Sequence, residues 1–192
     1  MRYNAGMSTA AHLLTAEELF RMSEEESRWC ELVEGEIVQM SPPGFAHGIV
    51  SQAVSGLLLN YVQQHRLGLV VAAETGFIVA RNPDTVMAPD GAFVRQDRID
   101  VIGIPQAYFP EAPALAFEVV SPTDRVSEVG RKMRRWLEGG VELAWVIDPA
   151  ARTVTVYQAV DDVHVLTGKD TLTGGSVLPG FECQVADLFA GL

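Results

Sequence analysis

Two acidic residues sit inside apolar, extended-looking runs: Asp90 in VMAPDGAFV and Glu118 in ALAFEVV. An ionised carboxylate in such a setting must find a cation, a metal or several donors, or else take up a proton. The two stand 28 positions apart (118 − 90), and adjacent strands can bring such residues close together. A shared hard cation would then satisfy both. Mg²⁺ suits this arrangement because it takes one or two carboxylates and keeps several waters. Mn²⁺ can substitute for it, and the Val119 backbone carbonyl offers a third oxygen.

Hydrolysis at such a site also needs a group that positions water or offsets developing negative charge. Lys132 is the candidate, in the basic cluster RKMRRW (residues 131–136) that follows the Glu118 run. Glu128 lies one helical turn earlier, where it can pair with Lys132 and orient it. Each residue also has a structural reading. The PDG tripeptide at Asp90 is common in turns, Glu118 can pair with an arginine such as Arg125, and basic helical runs are usually solvated faces. Asp148, before Pro149, reads as a turn former, and Phe117, Trp136 and Trp145 read as core.

The surrounding pattern supplies elements to position these groups. Thr15 and Glu18 have capping-box spacing, which predicts a short helix in TAEELFRM. CELVEGEIVQM alternates around Glu34-Gly35 as a hairpin does, and Pro42-Pro43-Gly44 ends that unit. From Phe45 to about Gln64 the apolar residues recur at helical spacing, with His47, Ser51, Ser55 and Asn60 mostly on the other side. LVVAAE, GFIVA, VMAPDGAFV and ALAFEVV read as extended runs. A second helix is expected from about Arg125 to Glu138, closed by Gly139-Gly140. ELAWVIDP then reads as a buried strand, and a helix between it and ALAFEVV predicts a crossover and parallel pairing. The tail from TVTVYQ through VHVLTG to GFECQVADLF reads as hairpin strands with a short closing turn or helix. The class is α+β (mixed α/β): a mixed central sheet flanked by helices, with N- and C-terminal hairpins.

The 192 residues, 48% hydrophobic and 20% charged, suit one domain over 15–192 after a flexible segment over 1–14. No apolar run approaches the ~20 residues of a membrane span, and the start lacks the apolar core of a secretion signal. Two distant cysteines, Cys30 and Cys183, argue against a disulfide framework or a zinc site and point to a cytoplasmic setting. The net charge of −11 excludes a general affinity for phosphate backbones, so a nucleic-acid role requires a local basic patch.

The ordered set APD, FEVVSPT, a helix carrying Lys132, and GGVELAWVIDP resembles the Uma-type restriction endonuclease family of the PD-(D/E)XK nuclease-like superfamily. The likeness extends from ELVEGEIVQMSPPGFAHGIV at the N-terminal side to LPGFECQVADLF near the end. It implies a restriction-endonuclease-like core and a Mg²⁺-dependent nuclease acting on DNA. Asp90 and Glu118 would be metal ligands, with Lys132 the catalytic lysine. In the wider superfamily the lysine stands two residues after the glutamate, where this chain has Val120; the Uma-type pattern moves it to the following helix. That pattern has Asp at the position of Glu128. His47 matches a family histidine; Glu31 and Glu36 fall on acidic family positions, although on their own pattern both read as solvent-facing hairpin residues rather than site members. Arg131, Arg134 and Arg135 are expected to contact backbone phosphates, and cutting both strands of a duplex would favour a homodimer. The rival reading is a non-catalytic nuclease-like module for interaction or nucleic-acid binding, and a third is hydrolysis of another small phosphate ester.

Overall fold

Thr15 and Glu18 form the expected reciprocal capping box, and helix α1 (Ala16–Arg21) starts there. The computed structural model describes residues 12–192, apart from the side chain of Glu24. The flexible segment expected over 1–14 therefore lies, for residues 1–11, outside the described residues. A second capped turn, α2 (Glu24–Ser27), leads into the hairpin of β1 (Cys30–Val33) and β2 (Glu36–Gln39). Its two-residue turn has Glu34 at φ 53° and Gly35 at φ 80°, the left-handed pair that closes a tight hairpin.

The hairpin belongs to a four-stranded antiparallel sheet in the order β2-β1-β5-β4, with β4 at Phe77–Ala80 and β5 at Thr85–Met87. A second, six-stranded sheet has the order β10-β9-β8-β7-β6-β3. Its strands are β3 (Gly68–Ala72), β6 (Gly91–Arg95), β7 (Leu115–Val119), β8 (Leu143–Asp148), β9 (Thr153–Tyr157) and β10 (Val163–Leu166). All neighbours in it are antiparallel except β7 and β8, which run parallel, joined by α5 (Val126–Glu138) as the crossover reading required.

The sequence reading needs correction at VMAPDGAFV, which is not one run. Its first half is β5 and its second half β6, in different sheets, with Ala88-Pro89-Asp90 as the step between them. Pro89 has no N–H to give a ladder, so pairing stops there. Asp90 consequently heads β6 rather than lying within a strand.

Strand β7 is buried along its whole length, and its alternation distributes side chains to two cores. Leu115, Phe117 and Val119 pack with the α3 (Phe45–His65) side, against Val50, Val54 and Leu58. Ala116 faces the other way, into the cluster holding Met133 and Trp136 of α5. Glu118 shares that second face by the period-two geometry of a strand. A third, smaller core lies between α1 and the four-stranded sheet.

Three elements were not expected, although Ser23 and Glu26 have the capping-box spacing that starts α2. Helix α4 (Gln96–Ile102) buries no residue and has no side-chain cap bond, α2 is a single turn, and β11 (Thr171–Gly174) is a four-residue partner of β12 (Leu178–Gln184). A 3₁₀ turn over Val185–Phe189 closes the chain as expected, and Asp148 accepts from the N–H groups of Ala150 and Ala151 as a turn former. Among the described residues, no helix is long and apolar enough to cross a membrane.

Candidate active site

At the C-terminal end of β7 lies a cleft of about 460 Å³, walled by the β1–β2 hairpin, the start of α3, the Ala88–Asp90 step and α5. Helix α5 presents Lys132 and Trp136 at i and i+4, so both lie on the face turned to the sheet. Glu118 projects into that face. Its Oε1 accepts from Trp136 Nε1 at 2.9 Å, and both its oxygens lie 2.9 Å from Lys132 Nζ. The same ammonium lies 3.2 Å from Oε1 of Glu31, which also accepts from the Ala88 N–H at 3.0 Å. One cation therefore ties the β1 strand of the smaller sheet to the central strand of the larger one.

Asp90 reaches the same point from the other side. Its Oδ2 accepts from the Val119 N–H at 2.7 Å and lies 3.0 Å from His47 Nε2. In a strand, a residue's N–H and C=O project to the same edge, so the Val119 carbonyl opens on the side where Asp90 sits. β6 does not cover that edge, because its ladder with β7 ends at Gly91 opposite Phe117. The Asp90 strand approaches closely because Gly91 has no side chain: a Cβ there would meet the buried Phe117 ring at 2.4 Å.

The charges are unbalanced. Glu31, Glu118 and His47 are 6%, 9% and 8% exposed, and among the described residues Lys132 is the only lysine or arginine that lines the cleft. Burial pushes the Glu118 carboxyl up to about 7; Lys132 opposes the rise, while Asp90 and Glu31 add to it. Glu118 and Glu31 hold Lys132 firmly protonated, its pKa raised despite burial. His47 is also raised: burial opposes its charge, but Asp90 with Glu118 and Asp124 outweighs that.

The structure brings Asp90, Glu118, Val119, Lys132, His47 and Glu31 together, and departs from the sequence reading at four points. His47 is on the buried stripe of α3 with Val50, Val54, Leu58 and Val62, not on its outer side; the first turn of that stripe points past the sheet into the cleft. Lys132 pairs with Glu118 and Glu31, whereas the Glu128 carboxylate turns back to the Arg125 N–H at 3.4 Å as a cap. Arg125 is therefore not the partner of Glu118. Arg131, Arg134 and Arg135 do not line the cleft, since they project from α5 at angles rotated away from Lys132; Arg135 instead lines a separate hollow with Glu34 and Arg81. Glu36, in agreement with its solvent-facing reading, is exposed on β2 outside the cleft. The residue that sequence reasoning missed is Trp136, taken as core alone. Its fourth-position spacing from Lys132 was the available signal.

The model of the Uma2 family, described as "Putative restriction endonuclease", matches residues 16–186. The chain belongs to this family. Its fold is similar to that of a protein from Anabaena variabilis ATCC 29413, titled a putative nuclease belonging to DUF820, with TM-score 0.77 and 22% identity over 92% of this chain and 97% of the other. No curated protein matches.

The donor set around Glu118 fits a hard divalent cation in its chemistry: carboxylate oxygens and one strand-edge carbonyl, with negative charge in excess. Among the described residues, no group of three or more His, Cys, Asp or Glu is gathered closely enough to hold a metal. The reason is visible in the contacts: the Lys132 ammonium lies between Glu118 and Glu31, and His47 engages Asp90.

Proposed function

We propose that this Uma2-family protein is a divalent-metal-dependent phosphodiester hydrolase, a nuclease with DNA as substrate. The observation that carries the reading is the convergence of Asp90, Glu118 and Lys132 at the open end of β7. Asp90, Glu118 and the Val119 carbonyl would hold Mg²⁺ or Mn²⁺, which supplies Lewis acidity at a phosphoryl oxygen. Lys132 replaces the strand lysine absent at Val120, and its amine reaches Glu118 directly. Because it stays protonated, it acts as a charge donor to phosphate oxygens or to an attacking water, not as a base. Trp136 fixes one oxygen of Glu118, and Glu31 keeps Lys132 at the mouth of the cleft. His47 holds Asp90 in place and carries a proton near the scissile position. A homodimer is needed only where both strands of a duplex are cut.

The second reading is a non-catalytic nuclease-like module. One observation favours it: among the described residues, six carboxylates line the cleft (Glu31, Glu74, Asp90, Glu118, Asp124 and Glu128) against the single Lys132. Calorimetric titration with Mn²⁺ separates the two. A saturable site that disappears in Asp90→Asn supports the hydrolase, whereas no Mn²⁺ binding, with or without nucleic acid, supports the module.

A further inference from the structure

Beyond Trp29 the cleft continues into a second chamber of about 740 Å³. Trp29, Met40, Glu74 and Ala88 line both spaces, so the indole stands on the partition. Among the described residues, half-buried Trp29 belongs to none of the three cores. Its backbone sits at φ 58°, a left-handed conformation unfavourable for a bulky residue. Hydrogen bonds to its carbonyl hold it there, from the Met40 N–H at 2.6 Å and from Gln39 Nε2 at 3.2 Å. The Arg28 guanidinium lies over the ring, 5.8 Å from its centroid.

Tyr108 also lines this chamber. It packs against Gly76, where a Cβ would fall 2.3 Å from the ring, and edge-on against Phe20 at 5.5 Å. Trp29 and Glu31 are two residues apart, so their Cα atoms lie within about 7 Å, and Trp29, Glu31 and Lys132 line the same cleft.

The charge distribution decides what kind of substrate could use this space. With six carboxylates lining the cleft and Arg131, Arg134 and Arg135 outside it, binding cannot rest on neutralising many phosphates. Base stacking on aromatic side chains needs no such patch. A base within a duplex is already stacked on its neighbours, whereas an unpaired one can be splayed onto an indole.

We propose that the second chamber is a nucleobase subsite: Trp29 stacks on an unpaired base of a single-stranded nucleic acid whose adjoining phosphate lies at Lys132, with the Arg28 guanidinium over the opposite face of the indole. The proposal rests on the nuclease reading of the cleft and narrows its substrate to single strands.

The test titrates the full-length protein with short single-stranded DNA and RNA oligonucleotides, the matching duplex, and a single strand of abasic sugar-phosphate. Tryptophan emission reports stacking, because Trp136 and Trp145 are fully buried and out of a base's reach. Anisotropy of a labelled oligonucleotide reports affinity in the variants. Saturable quenching by single strands is expected, with Trp29→Ala weakening binding about 5- to 100-fold and Trp29→Phe retaining most of it. The abasic strand and the duplex should bind no better than single strands bind Trp29→Ala, and the DNA-to-RNA ratio assigns the preferred sugar. Equal affinity for base-bearing and abasic strands, unchanged affinity in Trp29→Ala, or no binding at all would overturn the subsite. Trp29-dependent binding without cleavage defeats the nuclease reading alone, and cleavage indifferent to Trp29 defeats the subsite alone.

Discussion

Replacing Glu118 by Gln tests the electrostatics of the site without removing its shape. In the folded chain the carboxyl is pushed from its ordinary 4.5 up to about 7. At about 1.4 kcal/mol per pH unit, that corresponds to about 3 kcal/mol. The sign follows from linkage. A carboxyl with a raised folded pKa favours the fold while protonated, below 4.5, and the advantage is lost as pH rises through about 7. Gln resembles the protonated form and does not titrate; its one amide oxygen can accept from Trp136, while its NH2 takes the place of the other oxygen beside Lys132, an offset that does not vary with pH. The stability of wild type relative to Glu118→Gln should therefore fall by about 3 kcal/mol between pH 4.5 and pH 8. Urea unfolding of both proteins across that range measures the difference and cancels every group they share. A difference that stays flat, or that moves in favour of the wild type, would mean Lys132 fully compensates the carboxylate and would refute the reasoning. Saturating Mg²⁺ should shrink the gap at pH 8, since a cation at Glu118 stabilises its ionised form.

Lys132→Met leaves Glu118 and Glu31 facing each other without their ammonium, and removing one partner of such a buried group costs on the order of 3–5 kcal/mol. Mn²⁺ should raise the Tm of this variant more than that of wild type, as read by thermal melting in EDTA and in Mn²⁺; equal shifts would mean that Lys132 does not compete with the cation, and no shift in either protein that no cation site lies there. Gly91→Ala forces a methyl against Phe117 and displaces Asp90, so a loss of about 1–3 kcal/mol in urea unfolding is expected. A neutral result would show that the β6–β7 approach can relax. His47 should titrate above its ordinary value of 6.5 by NMR and move down in Asp90→Asn. The His47–Asp90 pair thus adds stability below pH 6.5 that fades as pH rises through the folded value; a His47 resonance indifferent to Asp90→Asn would break the pair.

Much of the frame was legible because it is written in local patterns. The Thr15–Glu18 box, the apolar recurrence of α3, and the strand–helix–strand order around α5 each depend on residues near one another in sequence. Parallel pairing of β7 and β8 followed from the helix between them, and the closeness of Asp90 and Glu118 from adjacent strands. What stayed hidden depends on distant partners or on orientation. Glu31 joins the site from another sheet through Lys132, which no spacing in the chain announces. Trp136 looked like core because burial and hydrogen bonding to Glu118 use the same face of α5. The arginines of RKMRRW looked like a patch because they adjoin Lys132 in sequence, yet successive helical residues point in different directions. Pro89 was the overlooked signal that VMAPDGAFV is two strands.

The central claim is that a cation held by Asp90 and Glu118 drives phosphodiester cleavage. The most direct measurement is the rate of cleavage of a labelled oligonucleotide at pH 8 by wild type and Glu118→Gln, in Mg²⁺ and in EDTA. The account predicts cleavage by wild type in Mg²⁺ alone, and none by the folded Glu118→Gln protein. Cleavage that persists in EDTA, or that survives at the wild-type rate in Glu118→Gln, would contradict it.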